Sequence, residues 1–260
     1  MVWRHVMEVE VVGSFRRVGL VADRTLFFQV ELPGDVMSDF RAGQFCYLEW
    51  PDKDLLDDKG NGRNFSISSP PGELPVLSFA TRLTGSAFKN ALASRPDGSP
   101  IRVNGPYGDF CLSDCSTLSR TNSWDKPVVL VAGGIGVTPF RSMLMEALPV
   151  CGSVPFFLFT VNHSLESSVF REEFEKMARD NRNLYLDQII SRAGPDPLPP
   201  GIEVGTLTPG RLFDFIGVNA KKGEYYIAGG PSMVSGFKEA LLREGVSSDR
   251  IHSDPFMGYR

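Results

Sequence analysis

The segment of the sequence with the clearest chemical potential is a glycine-rich turn that follows a buried strand. The apolar run Val128–Ala132 leads into Gly133–Val137, and Thr138 and Pro139 follow directly. Glycines allow positive φ and let a phosphate approach the backbone without a Cβ in the way. Thr138 is predicted to cap the next helix, and Pro139 suits its first turn. The N–H groups at such a helix start attract an anion, so the segment predicts a phosphate site, with a plain strand–helix connection as the alternative.

The same segment departs from the dinucleotide fingerprint G-x-G-x-x-G of Rossmann dehydrogenases. Pro139 stands where the third glycine belongs. No acidic residue ends the next strand, where Thr160-Val161-Asn162-His163 is found instead of the carboxylate that binds a ribose. An ordinary Rossmann dehydrogenase is therefore a poor fit.

Cysteine and histidine spacing excludes several other chemistries. The four cysteines, Cys46, Cys111, Cys115 and Cys151, include only one C-x₃-C pair, and the three histidines lie far apart in the sequence. This pattern matches neither a zinc site nor an iron–sulfur cluster, so no metal is predicted. It also differs from a secreted disulfide framework, and the thiols are interpreted as buried or unused. Without a G-x-S-x-G elbow, a serine hydrolase is disfavoured.

Length and charge limit the remaining possibilities. The chain has 260 residues, which suggests two domains, and its net charge is −4. The parts before and after residue 120 each carry −2, which disfavours a nucleic-acid or anionic-membrane surface. No apolar run is long enough to span a bilayer, and the N-terminus does not resemble a secretion signal. A cytoplasmic protein is expected.

The elements that must position the glycine turn change in type along the chain. Apolar and polar residues alternate in short stretches up to about residue 110, with Pro and Gly between them, which predicts an antiparallel β-barrel with one short helix near 86–94. Beyond residue 127, buried strands alternate with amphipathic helices, which predicts a parallel α/β sheet. The expected division is a β-barrel domain at 1–115, a linker at 116–126 and an α/β domain at 127–260.

Several motifs in this order resemble the ferredoxin–NADP reductase superfamily, over nearly the whole chain. Arg63-Asn64-Phe65-Ser66 is similar to the flavin motif R-x-Y-S, with Phe65 in the tyrosine position, and Gly105–Gly108 is similar to the G-P-x-G turn. Gly133–Pro139 is similar to the nucleotide loop G-G-x-G-x-T-P. Tyr226–Met233 and Ile251–Tyr259 resemble the later nucleotide loop and the C-terminal acidic-Phe-Gly-Tyr ending.

The resemblance implies an FAD site in the first domain. Arg63 would neutralise the FAD pyrophosphate, Phe65 would lie against the flavin ring, and Ser66 would act near flavin N5. The alternatives are a salt-bridged arginine, a core aromatic and an exposed strand serine. The helix start would also hold the pyrophosphate unless it is only a capped helix end. The further expected flavin-binding residues are Asn64, Thr81, Gly85, Ser86, Ala87, Phe256 and Tyr259, the last two through a C-terminal tail that returns to the flavin.

A nicotinamide nucleotide site is implied in the second domain. Asp254 would act catalytically at the flavin–nicotinamide junction, with a capping aspartate as the alternative. Ala228 stands where many members have a cysteine. The expected nucleotide-binding residues are Gly134, Gly136, Val137, Thr138 and Pro139 for the pyrophosphate, Gly229, Gly230, Pro231 and Met233 for the nicotinamide, and Ser191 and Arg192 for an adenosine 2′-phosphate.

Together these expectations describe an FAD-dependent oxidoreductase that exchanges hydride with NAD(P)H and passes electrons to a separate small carrier protein such as ferredoxin or flavodoxin. Arg192 favours NADP over NAD, although a solvated arginine fits equally well. Two alternatives stay open: a non-catalytic regulatory or electron-transfer flavoprotein subunit, and a flavin or ferric reductase for which flavin is a substrate.

Overall fold

The computed structural model of the protein describes residues 9–34, 36–52, 57, 60–113, 126–194 and 197–257. The chain forms two compact units: Met1–Leu112 with Arg141–Glu146, and Ser113–Phe140 with Ala147–Arg260. The predicted domain limits at residues 115 and 127 flank a segment outside the described residues, and they stay predictions.

The first unit contains a six-stranded antiparallel sheet with the order β4-β3-β6-β1-β2-β5. After β4, the Ser68 N–H donates to the Ser78 carbonyl of β5 at 2.8 Å, so the two outer strands meet and close a barrel. This confirms the predicted antiparallel barrel. Its elements are β1 (Val9–Ala22), β2 (Thr25–Glu31), β3 (Phe45–Glu49), β4 (Gly62–Ser66), β5 (Val76–Arg82), α1 (Ala87–Ser94) and β6 (Pro100–Tyr107).

Aromatic side chains fill the barrel interior. Phe28 stacks on Phe79 with ring centroids 5.4 Å apart, and Phe15 meets Trp50 edge-on at 5.5 Å. All four side chains are fully buried. Such pairs contribute about 0.5–1.5 kcal/mol each beyond the burial of their area. The strands that carry the flavin motif therefore belong to a closely packed scaffold.

The second unit contains a six-stranded parallel sheet with the order β10-β9-β8-β7-β11-β12. Its central strands are nearly continuous apolar runs because helices cover both faces of such a sheet. The predicted α/β class is confirmed. Its elements are β7 (Val128–Gly133), α2 (Thr138–Ala147), β8 (Phe156–Asn162), α3 (Arg171–Asp180), β9 (Leu184–Ile190), β10 (Ile202–Val204), α4 (Pro209–Ile216), β11 (Glu224–Gly229), α5 (Pro231–Arg243) and β12 (Ile251–Pro255).

Two strands of the second sheet do not follow from the sequence pattern. β10 has three residues, and β12 has the sequence Ile-His-Ser-Asp-Pro without apolar alternation. β12 exists because it pairs in parallel with β11, with Asp254 opposite Ala228. The described part of the C-terminal segment is therefore a sheet strand. None of the helices among the described residues is long and apolar enough to cross a membrane.

The cysteines differ in state. Cys46 and Cys111 are free thiols, and burial raises the pKa of Cys111 to about 11. Cys151 is bonded in a disulfide, so its interpretation as an unused thiol is wrong. Among the residues that the structure describes, no three His, Cys, Asp or Glu side chains are grouped as metal ligands would be.

Candidate functional site

Arg63 lies on β4, and its guanidinium is held in a defined position. Its Nη1 donates to the carbonyl oxygens of Gly60 at 2.8 Å and Gly62 at 2.6 Å. Its Nη2 lies 2.5 Å from both carboxylate oxygens of Asp57. The Arg63 side chain is 15% exposed and that of Asp57 25%. The sequence alternative of a salt-bridged arginine therefore describes the observed contact.

The same Asp57 carboxylate lies at the start of α1. Gly85 precedes the helix with a φ of +81°, and the Ser86 hydroxyl caps it by accepting from the Lys89 N–H at 3.4 Å. The Ala87 N–H donates to Asp57 Oδ2 at 3.1 Å. An anionic group thus bridges a guanidinium and a helix N-terminus, which are two donors that suit phosphate oxygens. The Asp57 carboxylate stands in chemically for a phosphate, so these residues fit the pyrophosphate of FAD.

The other residues expected to bind flavin lie in different surroundings. Phe65 is 5% exposed and packs in the barrel core, with ring centroids 5.5 Å from Phe88. Thr81 is fully buried on β5. Asn64 is exposed and Ser66 is half-buried at the end of β4. The structure thus brings Arg63 together with the residues at the helix start, while flavin contacts of Phe65, Thr81, Asn64 and Ser66 stay predictions.

The predicted nucleotide turn lies between β7 and α2. One turn of 3₁₀-helix, Gly134–Val137, precedes α2, and Gly134 has a φ of +54°. The predicted capping role of Thr138 is wrong: α2 begins at Thr138, and the hydroxyl donates to the Ile135 carbonyl at 3.1 Å. Val137 and Thr138 are almost fully buried, and Pro139 is buried too. The half-exposed backbone at Gly133 and Gly134 is the part of the turn that a ligand can reach.

A second glycine turn, between β11 and α5, meets the first. Gly229 ends β11 with a φ of +147°, Gly230 precedes α5, and Pro231 begins it. A Cβ on Gly133 would be 3.3 Å from the Met233 sulfur. The chain passes from β7 to β8 on one side and β11 lies on the other. Ligands of parallel α/β sheets bind where strand order reverses in this way, at the carboxyl ends of the strands.

A polar cluster lies at the carboxyl ends of β8 and β9. The Ser191 N–H donates to the Asn162 carbonyl at 2.9 Å, and the Arg192 N–H donates to the His163 carbonyl at 3.0 Å. Thr160 Oγ1 and Asn162 Oδ1 are buried with no partner among the described residues. An unpaired buried polar group costs about 1–3 kcal/mol, so these atoms favour a polar ligand here. Sequence reasoning missed Thr160 and Asn162 as binding residues, because it noted only the missing acid.

Asp254, the second predicted catalytic residue, is a half-buried residue of β12 next to β11. Burial raises its pKa from 3.8 to about 6, which brings a carboxyl group close to proton exchange near neutral pH. The neighbouring Phe256 donates its backbone N–H to the Gly229 carbonyl at 2.7 Å. Tyr259 lies outside the described residues.

Comparison with known proteins gives a consistent class. No family model matches the chain. The chain is 28% identical over 220 residues to ferredoxin–NADP reductase B of Sorangium cellulosum, covering 84% of this chain and 85% of the relative. It spans only 51–61% of the length of the next four listed relatives.

Solved structures show the same fold. The Amycolatopsis cytochrome P450 reductase GcoB superposes with a TM-score of 0.80 at 22% identity, covering 96% of this chain and 70% of that one. A ferredoxin NADP+ reductase from Neisseria gonorrhoeae with bound FAD and NADP gives 0.74 at 17% identity, covering 95% and 98%. The resemblance to the ferredoxin–NADP reductase superfamily is therefore confirmed. In class, the protein is an NAD(P)H-dependent flavin oxidoreductase.

Proposed function

We propose that this chain binds FAD on its first unit and NADPH on its second, and transfers electrons to a separate carrier protein such as ferredoxin or flavodoxin. The observation that carries the proposal is the Asp57 carboxylate held by Arg63 and the Ala87 N–H, because it identifies an anion site in the flavin motif. The relative that the chain covers best is named as a ferredoxin–NADP reductase, which supports this acceptor class. A cytoplasmic location stays a prediction.

On the first unit, the protein's part is to bind and orient FAD. Arg63 and the Ala87 N–H neutralise the pyrophosphate, and the Ser86 cap holds the helix start in place. Ser66 follows Arg63 by three residues at the end of β4, where its hydroxyl is assigned to donate to flavin N5. Bound FAD supplies the hydride-accepting and electron-releasing chemistry.

On the second unit, the two glycine turns are assigned to the pyrophosphate and the nicotinamide. Ser191, Arg192 and the half-satisfied cluster of Thr160 and Asn162 are assigned to the adenosine end. Arg192 is exposed, and its guanidinium forms no ion pair with a described residue. A 2′-phosphate would provide that ion pair, which supports NADPH over NADH.

The test is anaerobic stopped-flow absorbance of the purified protein mixed in turn with NADPH and NADH. We expect a flavin spectrum that bleaches rapidly, and faster with NADPH. A yellow protein that neither nucleotide reduces would instead favour a regulatory or electron-transfer subunit. A colourless protein that takes up no added FAD would exclude the proposal.

Replacing Arg192 with alanine tests the nucleotide preference. We expect KM for NADPH to rise about tenfold and KM for NADH to stay within about twofold, because one charge-assisted contact to the 2′-phosphate is lost. Steady-state kinetics with a dye acceptor measures both values. Arg182→Ala is the control, since Arg182 is exposed before β9, at the other end of that strand. Equal changes for the two nucleotides would remove Arg192 from the site.

Replacing Asp254 with asparagine tests the raised pKa. The unfolded chain releases this proton near pH 3.8 and the folded protein near pH 6, so the carboxyl group destabilises the fold progressively between those values. The cost is complete above about pH 7 and absent well below pH 3.8. Allowing for solvent screening, we expect the variant to gain about 1 kcal/mol over the natural protein between pH 4 and pH 7.

Urea unfolding at the two pH values measures that gain, with the exposed Asp214→Asn as the control. The same variant tests the predicted catalytic role. Flavin reduction by NADPH should follow a pH profile with an apparent pKa near 6 that disappears in the variant. A profile shared by both proteins would restrict Asp254 to a structural role.

A second candidate function is a flavin reductase that uses flavin as an exchangeable substrate. The specific observation in its favour is the Asp57–Arg63 ion pair, because it already neutralises the charge that would hold FAD. FAD that stays with the protein through gel filtration supports the first function. Free flavin that is reduced with saturation kinetics by a colourless protein supports the second.

A further inference from the structure

We propose that Asp57 is an internal competitor for the phosphate of FAD, so that the cofactor binds by displacing a carboxylate of this chain. The inference rests on the proposed function, since it concerns regulation of the same FAD site. It adds a residue that no motif identifies. Asp57 lies six residues before Arg63 and outside the R-x-Y-S pattern.

The contacts of Asp57 carry the proposal. Both carboxylate oxygens lie 2.5 Å from Nη2 of Arg63, and Oδ2 also accepts from the Ala87 N–H at 3.1 Å. The guanidinium and the first N–H of α1 are the groups that the proposed function assigns to the pyrophosphate. One side chain of the protein therefore occupies both donors at once.

The carboxylate and the pyrophosphate exclude each other for two reasons. They need the same N–H donors, and two anions within a few ångströms of each other repel strongly in a partly buried site. Binding of FAD must therefore break the pair of Asp57 with Arg63. The apparent affinity for FAD is lower by the fraction of molecules in which that pair is broken.

Other acid–arginine pairs in the first unit do not have this property. Asp52 pairs with Arg95, which directly follows the C-terminal end of α1. Glu49 pairs with Arg102 across neighbouring strands at 3.2 Å. Among the printed contacts of these three acids, only those of Asp57 include the N-terminal N–H of α1. The position, rather than the ion pair alone, makes Asp57 a competitor.

The test is titration of FAD into flavin-free protein, followed by quenching of FAD fluorescence. In Asp57→Asn we expect the Kd for FAD to fall about tenfold, because the neutral amide competes poorly with a phosphate for the arginine. Asp52→Asn is the matched control, with the same change in the same part of the chain, and its Kd should equal that of the natural protein. Thermal melting of each flavin-free variant verifies that it is folded.

A double variant separates this inference from the proposed function. When Arg63 is alanine, the further change Asp57→Asn should leave Kd unchanged, since the contested group is gone. Affinity that depends on Arg63 but does not improve in Asp57→Asn would overturn the competition and leave the FAD site standing. Weaker binding in Asp57→Asn would also overturn it, by showing that Asp57 supports the site. Absence of FAD binding by every variant would overturn both proposals.

Discussion

Replacing Arg63 with alanine is expected to weaken FAD binding about tenfold, and about a hundredfold when both proteins carry Asp57→Asn. The guanidinium is held by two carbonyl oxygens beside the N-terminus of α1, so it meets a phosphate without losing much conformational freedom. Charge-assisted hydrogen bonds of this kind contribute about 1.5–3 kcal/mol each. In the natural protein, part of that gain is spent on displacing Asp57, which explains the smaller loss.

Fluorescence titration of FAD measures both values. Arg102→Ala is the matched control, because Arg102 is also a strand arginine paired with an acid but lies 40% exposed on β6. Its Kd for FAD should stay within about twofold of the natural value. An Arg63→Ala protein that retains FAD in natural stoichiometry and affinity would show that Arg63 is only a structural ion-pair partner.

Gly136→Ala is expected to have the largest effect on the second unit. An added Cβ would lie 2.2 Å from the Ala228 carbonyl oxygen and 2.6 Å from the Gly229 nitrogen. These are backbone atoms of β11, which pairs with β7, so neither loop can move away without breaking sheet hydrogen bonds. We expect a loss of about 3 kcal/mol in the free energy of unfolding, together with loss of nucleotide binding.

Urea unfolding and the rate of flavin reduction by NADPH measure the two effects. Gly236→Ala is the control, because Gly236 lies within α5 and no atom approaches its added Cβ within 4 Å. That change should stabilise the protein by about 0.5–1 kcal/mol through helix propensity. Natural stability and activity in Gly136→Ala would contradict the close approach of the two turns.

The fold class follows from the sequence because hydrophobic period is a local property. Alternation in Leu26–Leu32 predicts a half-buried strand, and the continuous run Val128–Ala132 predicts a strand covered on both faces. Both are strands, β2 and β7. The motifs that resemble the reductase superfamily are also local, since each depends on residue types within fewer than ten positions.

Other features depend on residues that are distant in sequence, and only the tertiary structure decides them. β12 has no strand pattern of its own and forms because β11 offers unpaired backbone groups along its edge. The raised pKa of Asp254 follows from that burial. Phe65, placed against the flavin by its motif, packs in the barrel core because the aromatic side chains of other strands surround it.

The sequence by itself thus determined the order of a β-barrel and a parallel α/β unit, and the position of the glycine turn and of Arg63 within them. It did not determine which groups contact that arginine. The contacts of Asp57 join a loop residue, a β4 residue and the start of α1, thirty positions from Asp57 along the chain. Such contacts arise from chain folding in three dimensions, because no periodicity or spacing along the sequence encodes a pair of donors that converge on one carboxylate.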